Sequence, residues 1–125
     1  MSSFTVKEAK TGFTFNLLAD NGKVIAVSEV YSTKAACRKG AESVSDYALL
    51  APIEDQTLKN YEVEKNPKFE VFLDNKKEYR FRLKASNGEI IAASEGYATK
   101  DSCMKGIHSV KVNTLWSEIE EKESV

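Results

Sequence analysis

Residues 13–45 align without a gap to residues 79–111, and 17 of those 33 positions are identical. Phe15, Leu17, Ala19, Asn21 and Gly22 return as Phe81, Leu83, Ala85, Asn87 and Gly88. Ile25, Ala26, Ser28, Glu29 and Tyr31 return as Ile91, Ala92, Ser94, Glu95 and Tyr97. Thr33, Lys34, Cys37, Lys39, Gly40, Ser43 and Val44 return as Thr99, Lys100, Cys103, Lys105, Gly106, Ser109 and Val110. Identities among such varied residue types mark a tandem duplication, and two copies of one sequence must adopt one unit fold. The match continues through Leu49, Ile53 and Glu54 to Leu115, Ile119 and Glu120. It also reaches back from Phe4 and Val6 to Phe69 and Val71, provided that the first turn of the second copy holds one extra residue. A solenoid needs about three stacked units to bury a continuous core, so two copies predict a single pseudo-twofold domain over residues 1–125. Its parts are repeat 1 (about 3–55), a linker (56–67), repeat 2 (about 68–121) and an acidic tail (122–125).

Within a copy the hydrophobic period is two, then changes. Tyr79, Phe81, Leu83 and Ala85 alternate with Arg80, Arg82, Lys84 and Ser86, as Phe13 to Ala19 alternate with Thr14, Asn16 and Leu18. That is a half-buried strand. Asn21-Gly22 and Asn87-Gly88 follow, and Asn-Gly between alternating runs predicts a tight type I′ hairpin. The returning strands are Lys23–Ser28 and Glu89–Ser94, and short strands at Phe4–Lys7 and Phe69–Leu73 precede the pair. Next, Ala36, Cys37, Gly40, Ala41 and Val44 fall three and four apart behind a Ser32 or Thr33 cap, which predicts a helix. The second helix carries Cys103, Gly106, Ile107 and Val110 behind Thr99. Glycine in mid-helix costs about 1 kcal/mol against alanine, so its recurrence at Gly40 and Gly106 predicts a close backbone approach. Extended segments Leu49–Asp55 and Leu115–Glu121 complete each copy as a fourth strand, with Pro52 confining the first to an edge or a strand start. Leu58, Tyr61 and Val63 predict that the linker packs against the body. The unit is therefore β-β-β-α-β, and the fold class is α+β.

The run Tyr79–Ala92, then Ser94-Glu95-Gly96-Tyr97, Gly106-Ile107 and Ser109-Val110-Lys111, resembles the YegP-like family of short, mostly bacterial proteins with one or two such units. The resemblance covers both repeats. It implies one antiparallel sheet in which the two units exchange their last strands. The first copy departs from the pattern, with Thr14, Asn16 and Leu18 where the second has Arg80, Arg82 and Lys84. The family implies no established activity.

A chain of 125 residues with 42% hydrophobic and 30% charged residues needs no metal or disulfide to fold. Its apolar runs are too short to span a bilayer, and Met1–Glu8 lacks the apolar core of a signal peptide, which predicts a cytoplasmic protein. Eighteen basic against 19 acidic side chains leave a net charge of −1, with no general pull toward nucleic acid or anionic lipid.

Cys37 and Cys103 are repeat-equivalent, lie on apolar helix stripes and have no CxxC spacing, so they read as reduced core residues. His108 stands where the first copy has Glu42, on the outer helix face, with no motif to partner it. The cluster Ser28-Glu29-x-Tyr31-x-Thr33-Lys34 and its copy reads as helix capping at a strand-to-helix junction rather than as an anion site. Arg80, Arg82 and Lys84 are the sharpest local feature: on one strand face they stand about 6.5 Å apart, near the phosphate spacing of a single nucleic-acid strand. Lys76, Lys77 and Phe72 extend that surface, while Glu70 and Glu78 are placed to neutralise it across strands. An open sheet face covered by charged side chains is also the ordinary finish of a two-layer fold. No phosphate loop, nucleophile elbow or metal signature is present in the sequence, and neither catalytic residues nor a cofactor is predicted. The expected role is a monomeric, non-enzymatic interaction module without membrane contact, binding a protein partner through its sheet face or an edge. The alternative is a weakly specific single-stranded nucleic-acid binder using Arg80, Arg82 and Lys84.

Overall fold

The computed structural model describes the backbone of residues 3–19, 21–114 and 118–121, and the side chains of 4–19 and 21–114. In the first copy β1 (Ser3–Ala9), β2 (Gly12–Leu18) and β3 (Val24–Val27) lead into α1 (Lys34–Ala48) and β4 (Ile53–Asp55). The second copy repeats the order as β5 (Lys68–Leu73), β6 (Tyr79–Lys84), β7 (Ile90–Ala93), α2 (Lys100–Thr114) and β8 (Glu118–Glu121). All eight strands join one sheet in the order β4-β5-β6-β7-β3-β2-β1-β8. The exchange of last strands is realised: β4 leaves its own copy to pair with β5, and β8 pairs with β1. These two outer pairs run parallel and every inner pair runs antiparallel. The reason is the helix, which returns the chain along the layer before the last strand begins, as in any crossover connection.

Alternation places Phe4, Val6, Phe15, Leu17, Phe69, Val71, Phe81 and Leu83 against the small-residue stripes of both helices, in one core cluster. Each copy builds the same aromatic stack: Phe4 meets Phe15 edge-on at 5.6 Å and Phe15 stacks on Tyr31 at 6.3 Å. In the second copy Phe69 meets Phe81 at 6.0 Å and Phe81 stacks on Tyr97 at 6.4 Å. Helix α1 packs on β2 and also on β7, and α2 on β6 and also on β3, so each helix covers sheet from both copies. Lys111 of α2 ties the copies further, its Nζ donating to the carbonyls of Ala51 at 2.8 Å and Leu49 at 3.4 Å. We therefore expect one thermal unfolding transition, coincident in far-UV and near-UV signals; two resolved transitions would contradict a shared core.

The hairpins differ from the type I′ expectation. Ala85 N donates to Glu89 O and Gly88 N donates to Ala85 O, both at 2.9 Å, closing a three-residue loop over Ser86–Gly88. Only Gly88 is left-handed there (φ 85°), and Asn87 instead accepts from the Glu89 N–H through its side chain. Gly22 (φ 82°) and the Lys23 N–H to Asn21 Oδ1 bond repeat the pattern in the first copy. The cost of a longer loop is a bulge one step on. Leu17 pairs with Ala26 and Leu18 with Val24, which leaves Ile25 unpaired; Ile91 is its equivalent. The bulge is useful, since it turns consecutive residues Ile25 and Ala26 both into the core.

The extra residue expected in the second copy's first turn is present. Asp74 N bonds to Glu78 O at 2.9 Å across a three-residue loop, against the two-residue Lys10-Thr11 turn of the first copy. Lys77 occupies the left-handed position (φ 62°) that Gly22 and Gly88 fill in the β2–β3 and β6–β7 hairpins. Because an L residue there is strained, Lys77→Gly is expected to raise stability by a few tenths to about 1 kcal/mol. An unchanged or lower denaturant midpoint would refute that account.

Candidate interaction surface

The face of the sheet away from the helices divides in two. Over β4-β5-β6 it carries a chain of charges. Lys68 Nζ reaches Glu54 Oε1 at 2.7 Å and Glu70 Oε2 at 3.4 Å, and Glu70 is also met by Arg82 Nε at 2.6 Å and Lys84 Nζ at 3.3 Å. Glu54 is 2% exposed, Glu70 3% and Lys68 7%. Burial opposes ionisation of Glu54, but hydrogen bonds from Lys68 Nζ, Gln56 Nε2 and the Glu64 N–H outweigh it and hold its pKa at about 2. Glu70 is likewise lowered against its burial by Arg82 and Lys84. Lys68 is raised, chiefly by its bond to Glu54. The equivalent half, over β1 and β2, is neutral at Thr5, Thr14, Asn16 and Leu18. Thr5 Oγ1 is buried with no hydrogen-bond partner, at the position where the other half has Glu70.

Arg80, Arg82 and Lys84 lie in a row on this open face of β6, as their alternation predicts. Each is engaged by a carboxylate. Arg80 Nε bonds Asp74 Oδ2 at 2.6 Å, and this bond is the main reason that the Asp74 pKa is lowered. Arg82 and Lys84 share Glu70. Glu70 thus neutralises the row as expected. Glu78 does not: its carboxylate lies beside Gly96, and Asp74 takes the role instead. Phe72 is spent within the fold too, its ring 4.5 Å beneath the Arg82 guanidinium. We expect no binding of an oligothymidylate at 150 mM salt. The informative variant must carry Glu70→Thr with Arg80→Thr, Arg82→Asn and Lys84→Leu, because in the first copy the neutral side chains accompany Thr5. Salt-dependent binding of the natural protein that this variant loses, with a slope lower by about 2, would overturn the expectation.

The remaining sequence candidates resolve into structural roles. Cys37 and Cys103 are unpaired and fully buried, and burial pushes both thiols up to about 11, away from the reactive thiolate. His108 is exposed. Ser28 and Ser94 plug the sheet ladder, accepting from the Phe15 and Phe81 N–H groups and donating to the carbonyls of Glu29 and Glu95. Thr33 and Thr99 cap the helices through the N–H groups of Ala36 and Ser102.

One feature was not legible in the residues. The linker expectation fails: Leu58 is 54% exposed, Tyr61 39% and Val63 77%. The segment is held instead by polar bonds, Thr57 to Asp55 and the Glu64 N–H and carbonyl to Glu54 and Lys68. It therefore stands off from α1 and leaves a groove of about 650 Å³ between the end of that helix and residues 63–67. Tyr47, Leu50, Pro52, Val63 and Pro67 supply its apolar walls, and Asp46, Glu64, Lys65 and Asn66 its polar edge. Leu50 is 86% exposed.

A duplicated β-β-β-α-β unit with exchanged edge strands defines the class of protein. The sequence profile described as "Domain of unknown function (DUF1508)" matches residues 9–55 and 74–121, and the chain belongs to that family. It is similar to the UPF0339 protein YegP of Yersinia pestis, with 36% identity over 92% of this chain and 90% of that one. A UPF0339 protein of Methanosarcina acetivorans is 61% identical over 37% of this chain and 79% of its own length, which corresponds to a single unit. The solution structure of the Escherichia coli yegP protein superposes with a TM-score of 0.80 at 28% identity, covering 99% of this chain and 95% of that one. That protein is described as being of unknown function. Among the described residues no helix is long and apolar enough to cross a membrane.

Proposed function

We propose that the protein is a cytoplasmic, monomeric, non-enzymatic docking module that receives an apolar side chain of a protein partner in the groove beside β4. The observation that carries this reading is the meeting of Leu50 and Val63, the two most exposed large hydrophobic side chains among the described residues, in the same concave site. Exposed apolar side chains scattered singly mean little, but two lining one groove of ligand size mark a binding surface. The groove lies next to the β4 edge, which moves the binding surface from the sheet itself to its flank. Chemistry elsewhere favours binding over catalysis. Glu54 and Glu70 are locked in ion pairs with lowered pKa values, far from those of a general acid or base at neutral pH, and neither thiol is activated. Titration with the neutral probes indole and isobutanol tests the site. Amide shifts should concentrate at residues 46–52 and 63–67 and vanish in Leu50→Ser/Val63→Ser. Shifts that are absent, or that fall elsewhere, refute the groove.

A further inference from the structure

The groove edge is charged, and its charges are not used by the fold. Asp46 and Glu64 line the site and Glu62 precedes Val63, against Lys65 as the one lining cation. No ion pair engages any of these four among the described residues, whereas the carboxylates of Glu54, Asp55, Glu70 and Asp74 are each matched to a Lys or Arg. Asp46 also sits in the last turn of α1, where an acidic side chain opposes the helix dipole and does nothing for the helix. Two unmatched carboxylates lining an apolar trough, with Glu62 one position before Val63, form a surface complementary to a cation held beside a hydrophobic anchor.

Resting on the docking role above, we infer that the groove takes a short peptide segment of a protein partner in which a bulky aliphatic or aromatic residue lies within about two positions of a lysine or arginine. The apolar anchor enters between Leu50 and Val63, with Tyr47 and the two prolines as walls. The cationic residue then reaches Asp46 on the helix side or Glu62 and Glu64 on the linker side. Lys65 disfavours an acidic neighbour, so the same rim selects against the wrong charge. Such a contact is rim-exposed and salt-screened, and it acts more on partner choice and capture rate than on raw affinity.

A displayed library of random heptapeptides, selected on the immobilised full chain at 150 mM salt, tests this. Three proteins are compared: the natural chain, Asp46→Lys/Glu62→Lys/Glu64→Lys, and Leu50→Ser/Val63→Ser, each checked for an unchanged melting midpoint. The natural chain should enrich peptides pairing a large apolar residue with Lys or Arg. The charge-reversed chain should keep the apolar anchor, exchange the basic neighbour for Asp or Glu, and bind the original peptide about tenfold more weakly. Enrichment of apolar anchors with no basic neighbour, unchanged by charge reversal, overturns the cationic inference and leaves the groove reading standing. No enrichment, or enrichment that survives Leu50→Ser/Val63→Ser, overturns both.

Discussion

Lys68→Met is expected to lower stability at neutral pH by about 3 kcal/mol, because it leaves two buried carboxylates without the cation between them. Glu54 and Glu70 are 2% and 3% exposed and both reach the same Nζ. Glu54 retains Gln56 and the Glu64 N–H, and Glu70 retains Arg82 and Lys84, so the loss falls at the lower end of the range for a broken buried pair. The pH dependence separates this effect from lost packing. With a folded pKa of about 2, below its unfolded value, Glu54 contributes stability above about pH 5 that is lost as pH falls toward 2. Lys68, raised in the fold, contributes stability present below its unfolded pKa near 10.4 and lost as pH rises beyond it. Denaturant midpoints measured from pH 7 down to 3 should therefore show the gap between natural and variant protein narrowing. A gap independent of pH would mean that the lysine stem, not its charge, is what matters. Glu54→Leu/Lys68→Met should cost less than the two single changes together, since no charge is then stranded.

Gly40→Leu and Gly106→Leu are expected to destabilise by about 1–3 kcal/mol each, although leucine is the better helix former. A Cβ at Gly40 would stand 2.6 Å from Tyr31 Cζ, and one at Gly106 would stand 2.9 Å from Tyr97 Cζ and 3.0 Å from Phe81 Cε2. The rings cannot simply swing aside. Tyr31 is bridged to Phe13 through two backbone bonds of 2.7 and 2.8 Å and stacks on Phe15, and Tyr97 is held by Tyr79 and Phe81 in the same way. Helix propensity alone would shift the midpoint upward by up to about 1 kcal/mol, so the sign of the change decides. Trimming the ring with Tyr31→Ala beside Gly40→Leu should recover part of the loss. No recovery would place the strain elsewhere.

Much of this was legible in the residues, because repetition doubles every local signal. The change from period two to period 3.6, the Thr33 and Thr99 caps and the two glycines each appear twice, and each copy supports the other's reading. The close neighbour of Gly40 and Gly106 is, however, an aromatic ring and not the expected backbone of a helix or strand. Hairpin details were less legible. Asn-Gly is compatible with two loop lengths, and the three-residue loop prevails because its bulge delivers both Ile25 and Ala26 to the core. The basic strand was visible, but its neutralisation was only partly so. Glu70 lies opposite Arg82 in strand register, whereas Asp74 reaches Arg80 from a turn whose shape no periodicity encodes.

Sequence alone determined the unit, its duplication and the faces of the alternating strand residues outside the bulges at Ile25 and Ile91, since these follow from periodicity and short-range backbone preference. Tertiary structure decided what lies between distant segments. It set the exchanged strands parallel to their new neighbours, because the direction of an edge strand depends on where the helix returns the chain. It buried Lys68 among carboxylates from β4 and β5, and it held the linker by polar bonds so that Leu50 and Val63, 13 positions apart, face one groove. Contacts of that kind arise from the closure of the whole sheet, and no window of local sequence contains them.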